Sequence, residues 1–444
     1  MSFPKYDRYK DSGVEWLGEV PEHWDVKRLR FIAMLNPSKS EVSKFDRETV
    51  ISFLPMEAIG IDGTINLEHE KAISEVETGY TFFREGDVTI AKITPCFENG
   101  KGAVMKGLLN GIGFGTTELI VARPETDQTF SEYLHWIFTS APFRNLGESY
   151  MYGAGGQKRV PDDFVQNFSL GLPPLPEQRS IAAFLDRETT KIDELIAEQR
   201  QLIDLLKEKR QAVISHAVTK GLNPDAPMKD SAIEWLGEVP EHWEVKSLKK
   251  VSPEISVGIV VEPSKYYESV GVPALRSLNV QPGIIKFENL VFISEKSNTV
   301  LSKSRLHAGD LVSVRSGKPG TTAIIPSELE GCNCIDLIII RKPKVDSEKF
   351  LCWYLNSDSA KYQFSEGTGG AIQQHFNIGT ATQLVIPTPP LTEQIVIADF
   401  LYSETEKYDE LIAEAHHAIA LLQERRTALI SAAVTGKIDV HSLV

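Results

Sequence analysis

The chain carries one twenty-residue segment twice. Lys10-Asp-Ser-Gly-Val-Glu-Trp-Leu-Gly-Glu-Val-Pro-Glu-His-Trp-Asp-Val-Lys-Arg-Leu29 returns as Lys229-Asp-Ser-Ala-Ile-Glu-Trp-Leu-Gly-Glu-Val-Pro-Glu-His-Trp-Glu-Val-Lys-Ser-Leu248, identical at sixteen of twenty positions. A second set of matches follows downstream. Pro173-Pro-Leu-Pro-Glu-Gln178 matches Pro389-Pro-Leu-Thr-Glu-Gln394, Asp193-Glu-Leu-Ile-Ala-Glu198 matches Asp409-Glu-Leu-Ile-Ala-Glu414, and Ala217-Val-Thr219 matches Ala433-Val-Thr435. Such a chain folds as two copies of one plan, a pseudo-twofold internal repeat. Between the repeated ends lie two bodies, Arg30 to Gly171 and Lys249 to Thr388, similar in length and unlike in sequence. A constant frame around divergent inserts implies a shared partner for the frame and a separate target for each insert.

Behind each Pro-Pro-Leu the apolar residues fall mostly three and four apart with charged residues between them. The first run holds Ile192, Leu195, Gln199, Leu202, Leu206 and Val213, and the second holds Tyr408, Leu411, Ala415, Ala418, Leu422 and Leu429. The spacing predicts two amphipathic coiled-coil helices, with Ile192, Leu195, Leu202, Leu206, Tyr408, Leu411, Leu422 and Leu429 as packing positions. Each run begins after prolines and stops at a glycine, Gly221 or Gly436, as helix ends favour. Roughly 38 residues at about 1.5 Å each make about 57 Å, too long for one body to cover. The two helices are therefore expected to pair with each other; packing of each on its own body is the plainer alternative.

The bodies read as mixed α/β (α+β). Gly86-Asp87-Val88 and Gly309-Asp310-Leu311 mark a turn into a buried strand, continued by Thr89 to Ile93 and Val312 to Val314, and Cys334 to Ile340 is apolar enough for another. Ser131 to Phe143 and Ser347 to Phe364 read as helices. The organisation is then a frame segment (1–29), a first body (30–176), a helix (177–222), the repeated frame segment (223–248), a second body (249–392), and a second helix with its tail (393–444).

Composition excludes several classes. Met1 to Gly13 lacks the apolar core of a signal peptide, and no run nears the roughly 18 apolar residues of a membrane span, so a soluble intracellular protein is expected. A formal net charge of -14 argues against a protein that simply coats nucleic acid, although phosphates respond to local charge. The four cysteines, Cys96, Cys332, Cys334 and Cys352, lack the paired spacing of a zinc site and read as reduced core residues. Trp16, His23 and Trp24, with their copies Trp235, His242 and Trp243, read as packing residues that clamp the start of each module against the opposite end of the frame; the histidines lack nearby Cys or carboxylate ligands at metal spacing.

Trp16-Leu-Gly-Glu-Val-Pro-Glu-His-Trp24, the Gly-Asp-aliphatic turn, a glycine-rich turn before the last strand of each body, and Pro-Pro-Leu-x-Glu-Gln occur in the same order in both halves. In this the chain resembles the specificity (S) subunit of type I restriction-modification systems over almost its whole length. The resemblance implies two globular target recognition domains, each reading half of a bipartite DNA site, separated by two long antiparallel coiled-coil helices. It also implies two docked adenine methyltransferase (M) subunits, with restriction (R) subunits completing the nuclease, in a bacterial or archaeal cytoplasm. Catalysis would then belong to the partners. The M subunit would use S-adenosylmethionine and flip out its target adenine, and this chain would carry no catalytic residue, metal or cofactor. Its sequence agrees: Asn36-Pro-Ser is not the Asn-Pro-Pro-Tyr type of loop that adenine methylation needs, and Glu424-Arg-Arg sits on a helix face rather than in a nuclease cluster. A different class remains open, a coiled-coil adaptor whose bodies bind protein or carbohydrate, as does an orphan specificity protein that serves another system's M subunits.

Two stretches hold candidate DNA contacts. Basic residues follow each Gly-Asp strand at the same phase: Lys92, with Lys101 beyond it, in the first body, and Arg315, Ser316 and Lys318 in the second. The glycine-rich turns add Gln157, Lys158 and Arg159 in one body and Gln373, Gln374 and His375 in the other. Gln suits adenine and Arg suits guanine in the major groove, while Lys and Ser suit phosphate; solvated loops are the alternative. The turns lack the Gly-Lys-Ser/Thr ending of a nucleotide-phosphate loop. If the helices act as a ruler, inserting about four residues near Gln199 moves the domains by about 5.4 Å. Mapping of methylated adenines would then show a wider spacer between unchanged half-sites, and an unchanged spacer would rule the ruler out.

Overall fold

A computed structural model describes residues 3–154, 156–366 and 376–441. The chain divides into two compact units, one drawn from the residues up to Gln199 and from His417 onward, the other from Arg200–His416. Unit 1 contains a four-stranded antiparallel sheet in the order Ala33–Leu35, Leu119–Pro124, Val88–Ala91, Gly102–Val104. Unit 2 repeats it as Ile255–Val257, Leu337–Ile340, Leu311–Val314, Thr322–Ile324. The frame closes each body with a strand pair, Asp25–Arg28 against Ser169–Leu172 and Glu244–Ser247 against Val385–Thr388. The units differ in their second sheet. In unit 1 it runs Glu70–Ala72, Val50–Leu54, Ile112–Gly115, Thr81–Arg84; in unit 2 the order is Tyr267–Glu268, Val291–Ile293, Val272–Leu275, Asn333–Cys334.

The Gly-Asp motif builds the same corner in both units. Gly86 and Gly309 turn the chain at φ +84° and +89°, a region that L side chains seldom adopt. The aspartates behind them are buried and paired. Asp87 accepts the Arg84 amide at 2.9 Å and the Arg123 fork at 2.7 and 2.8 Å. Asp310 accepts the His307 and Lys342 amides, each at 3.0 Å, and Arg341 at 2.6 Å. A buried carboxylate without such donors would be strongly destabilising, so the motif and its arginine form one unit across neighbouring strands.

Three expected elements are interrupted, each for a local reason. The helix expected from Ser131 ends at Thr139 and resumes as Ala141–Ser149, with Pro142 in its first turn, where a proline is tolerated but could not continue the preceding helix. Its counterpart divides into Glu348–Leu355 and Asp358–Glu366, and the Asn356 amide between them donates to the carbonyls of Thr322 (2.9 Å) and Cys352 (2.8 Å). The apolar run Cys334 to Ile340 splits at Asp336, whose φ is +52°. All four cysteines are free, and burial pushes the thiols of Cys332 and Cys352 up to about 12.

Two long helices, Leu175–Lys220 of 46 residues and Leu391–Val434 of 44, exceed the expected length. They pair antiparallel: in unit 1 Arg426 of the second meets Asp193 of the first at 3.0 Å, and in unit 2 Arg210 of the first meets Asp409 of the second at 3.0 Å. The buried seam of the first helix runs through Ile192, Ile196, Ile203 and Ile214, and that of the second through Ala415, Leu429 and Ile430. Leu206, Tyr408 and Leu422 are half-buried beside it. Leu195, Leu202 and Leu411 lie off the seam, 45%, 43% and 47% exposed. Steps of four, three and four from Ile192 lead through Ile196 and the half-buried Gln199 to Ile203. The neighbouring leucines are rotated away by one residue, about 100° at 3.6 residues per turn. Among the described residues no helix is long and apolar enough to cross a membrane. Ile203→Ala is expected to cost about 2–4 kcal/mol and Leu202→Ala under about 1 kcal/mol; urea unfolding of the full chain would show it, and equal losses would refute this seam.

Candidate functional site

The repeated ends meet at a clamp. Glu177, buried in the first turn of the first long helix, accepts Trp24 Nε1 at 2.9 Å and the Tyr6 hydroxyl at 2.6 Å through Oε1, while its Oε2 faces His23 Nε2 at 2.7 Å. Glu393 repeats this with Trp243 Nε1 at 3.1 Å and His242 Nε2 at 2.7 Å. The next residue ties the helix to its body. Gln178 donates to the Pro173 and Gln128 carbonyls at 2.9 and 2.8 Å, and Gln394 to the Pro389 carbonyl and Asp346 at 2.9 and 2.7 Å. Burial, with the Glu177 contact, pushes the Tyr6 hydroxyl far above its ordinary pKa, so it stays a donor. Each histidine thus has a carboxylate beside it in space that its neighbours along the chain do not reveal. Among the described residues, no three His, Cys, Asp or Glu side chains are grouped to hold a metal.

At the far end of the shared sheet the two bodies carry matched polar nodes. In unit 1, Leu119 lies opposite Ala91, which sets Glu118 beside Lys92, whose amide donates to the Glu118 carbonyl at 2.8 Å. The chain returning from the glycine-rich turn docks there: the Val160 amide donates to the Lys92 carbonyl at 2.9 Å. The Arg159 guanidinium spans both Glu118 oxygens at 2.9 and 2.7 Å. In unit 2, Leu337 lies opposite Val314, and the Phe376 amide donates to the Arg315 carbonyl at 3.0 Å. Arg315 reaches Asp336 at 2.6 Å and the Phe376 carbonyl at 3.3 Å. The backbone scaffold is the same, and the cation comes from different places: the turn in one unit, the strand end in the other. The Arg159 hydrogen bond holds the Glu118 carboxyl below its usual range, against partial burial and with help from Lys92.

The candidate residues therefore separate by role. Lys92, Arg159 and Arg315 belong to these nodes. Lys101 is half-buried and donates to the Met56 carbonyl at 2.8 Å. Gln157 and Lys158 are exposed on the glycine-rich turn, Lys318 is exposed on the loop after Arg315, and Ser316 is half-buried in that loop. Gln373, Gln374 and His375 lie outside the described residues. Sequence reasoning passed over Glu118 and Asp336. The available signal was an acid placed directly before an unbroken aliphatic strand in each body, Leu119-Ile-Val-Ala122 and Leu337-Ile-Ile-Ile340.

Two copies of one α/β body, locked by the same His-Trp-Glu clamp and bearing different side chains on a matched tip, define a duplicated scaffold protein with a constant frame and variable ends. No profile of a known protein family matches the chain. It is 47% identical over 189 residues to the type I restriction enzyme EcoAI specificity subunit of Escherichia coli, a match that covers 42% of this chain and 31% of that protein. The first-ranked Escherichia coli relatives are thus matched over less than a third of their length. The putative type I restriction enzyme MjaX specificity subunit of Methanocaldococcus jannaschii is 26% identical and covers 100% of this chain and 99% of its own. Among solved structures, a chain from a study of assembly and conformational transition in the type I R-M system superposes with a TM-score of 0.75 at 20% identity, covering 94% of this chain and 98% of its own. The HsdS subunit from Thermoanaerobacter tengcongensis gives 0.57 at 19%, with the same coverage. The chain is thus similar in sequence to type I restriction enzyme specificity subunits and shares its fold with the HsdS subunit.

Glu118→Gln removes the anion that holds Arg159, so amide exchange at Thr94, Arg159 and Val160 should become several-fold faster, with the frame clamp unaffected. Asp336→Asn is expected to do the same at Phe376. Unchanged exchange by mass spectrometry would mean that backbone hydrogen bonds alone fix these tips.

Proposed function

We propose that this chain sets the DNA sequence specificity of a type I restriction-modification assembly, each body reading one half of a bipartite site. The observation that carries this reading is the contrast between the tips. One scaffold presents Lys92, Glu118 and Arg159 with an exposed Gln157 and Lys158 in unit 1, and Arg315 and Asp336 with an exposed Lys318 in unit 2. Two readers built on one scaffold and differing at the tips that meet their targets need this arrangement. The exposed Gln and Lys side chains are the direct contacts, to base edges and phosphates. Arg159 and Arg315, committed to carboxylates, hold the loops that present them. A net charge of -14 is compatible with this role because counterion release depends on the local cations that face phosphate.

The constant frame is the part suited to identical partners. In this reading it takes up two methyltransferase subunits, which bring S-adenosylmethionine and the methylation chemistry, and restriction subunits join them for cleavage. The chain itself contributes recognition and assembly.

Replacing residues 30–171 with the corresponding body of another specificity subunit tests the division of labour. With a cognate methyltransferase, genome-wide mapping of methylated adenine should show one half-site changed and the other retained. Changes in both halves would overturn the modular reading.

A further inference from the structure

The two units differ in one interior feature that the recognition reading does not use. Where the helix after the shared sheet faces the glycine that opens the last strand, unit 1 is nearly solid, with a cavity of about 10 Å3 lined by His135, Lys101, Phe138 and Thr139. Unit 2 has a cavity of about 350 Å3 in the corresponding place. The correspondence is fixed by hydrogen bonds: Ala91 donates to the Lys101 carbonyl as Val314 donates to the Thr321 carbonyl, each at 2.9 Å. Lys101 is thus replaced by Thr321. Cys352, directly before Trp353, stands where His135 precedes Trp136. Two smaller side chains leave the space open. In unit 1 His135 fills it as a neutral ring, its pKa pushed down to about 4 by burial, with Arg426 and Lys106 adding to the effect.

The lining of the open cavity is chemically divided. Ile214, Ile324, Cys352 and Leu355 form an apolar floor, Trp353 and Tyr402 an aromatic wall with their rings 6.2 Å apart, and Lys318 and Lys349 stand on the rim. Neither lysine has an ion-pair partner among the described residues, whereas Arg210 and Lys361 nearby are paired with Asp409 and Asp358. The wall has changed as well. Trp136 gives its indole N–H to Asp186 at 3.0 Å; Tyr402 takes the place of that aspartate, and Trp353 has no acceptor among the described residues. The substitution removes an acid and adds a ring, so the site is better suited to an anion and to a flat apolar group. Its volume falls at the small end of small-molecule sites, roughly 300–1,000 Å3.

We propose that this cavity binds a small planar aromatic anion of the nucleoside monophosphate class, its ring against Trp353 and Tyr402 and its phosphate toward Lys318 and Lys349. The site is separate from the glycine-rich turns but shares Lys318 with the proposed DNA contacts, and Lys349, Trp353 and Tyr402 carry it without the DNA-reading role. Titration calorimetry of the full chain with adenosine monophosphate tests it. Saturable binding is expected, with adenosine and inorganic phosphate each at least about tenfold weaker. Lys349→Glu, on the exposed rim, should weaken binding by about tenfold, and Cys352→His, which restores the plug of unit 1, should abolish it. No binding at millimolar ligand, equal binding of adenosine, or an unaffected Lys349→Glu chain would each overturn the proposal.

Discussion

A carboxylate at the first turn of each long helix, buried as Glu177 and half-buried as Glu393, is the contact on which the rest of the fold depends. Glu177 joins three parts of the chain that are far apart in sequence: the N-terminal segment through Tyr6, the repeated frame through His23 and Trp24, and the helix that it begins. Removing the anion would strand an indole N–H in a core where Trp24 is fully buried, and removing the donors would strand the anion. Neither partner can change alone. This interdependence explains why Glu-His-Trp and Pro-Pro-Leu-x-Glu-Gln appear together in both halves while the bodies between them diverge.

The clamp also explains how divergence is tolerated. The strand pair next to it returns each body to its starting point, and the Gly-Asp corner with its arginine fixes the shared sheet one layer further out. Beyond those two anchors the strand order changes between units, and so do the loops. These anchors recur in both units while the far ends differ in side-chain chemistry.

The repeat, the helices and the Gly-Asp strands were legible in the sequence because each leaves a local pattern: identity, three-and-four spacing, or a turn before an aliphatic run. The exact seam was not. Leu195 and Ile196 are adjacent apolar residues, and either fits a loose helical pattern; only the facing helix selects the isoleucine, leaving the leucine 45% exposed. The tip nodes were hidden for a different reason. Glu118 meets Arg159 across 41 residues, and Asp336 meets Arg315 through a kink inside what reads as one continuous strand. Pairings set by strand register leave no short-range signature, and their two halves do not align with each other because the cation has moved.

That movement bears on how such a protein changes its target. An arginine held by a carboxylate loses conformational freedom before any ligand arrives, which lowers the ordering cost of binding. What must persist is therefore the ion pair at the strand end, not the position along the chain from which its cation comes. Unit 1 supplies the cation from the turn, and unit 2 supplies it from the strand. In the first arrangement the pair ties down the glycine-rich turn, and in the second it ties down the hairpin loop that carries Lys318. A single relocated arginine thus changes which loop is tied to the strand end, while the four-stranded sheet beneath keeps its order.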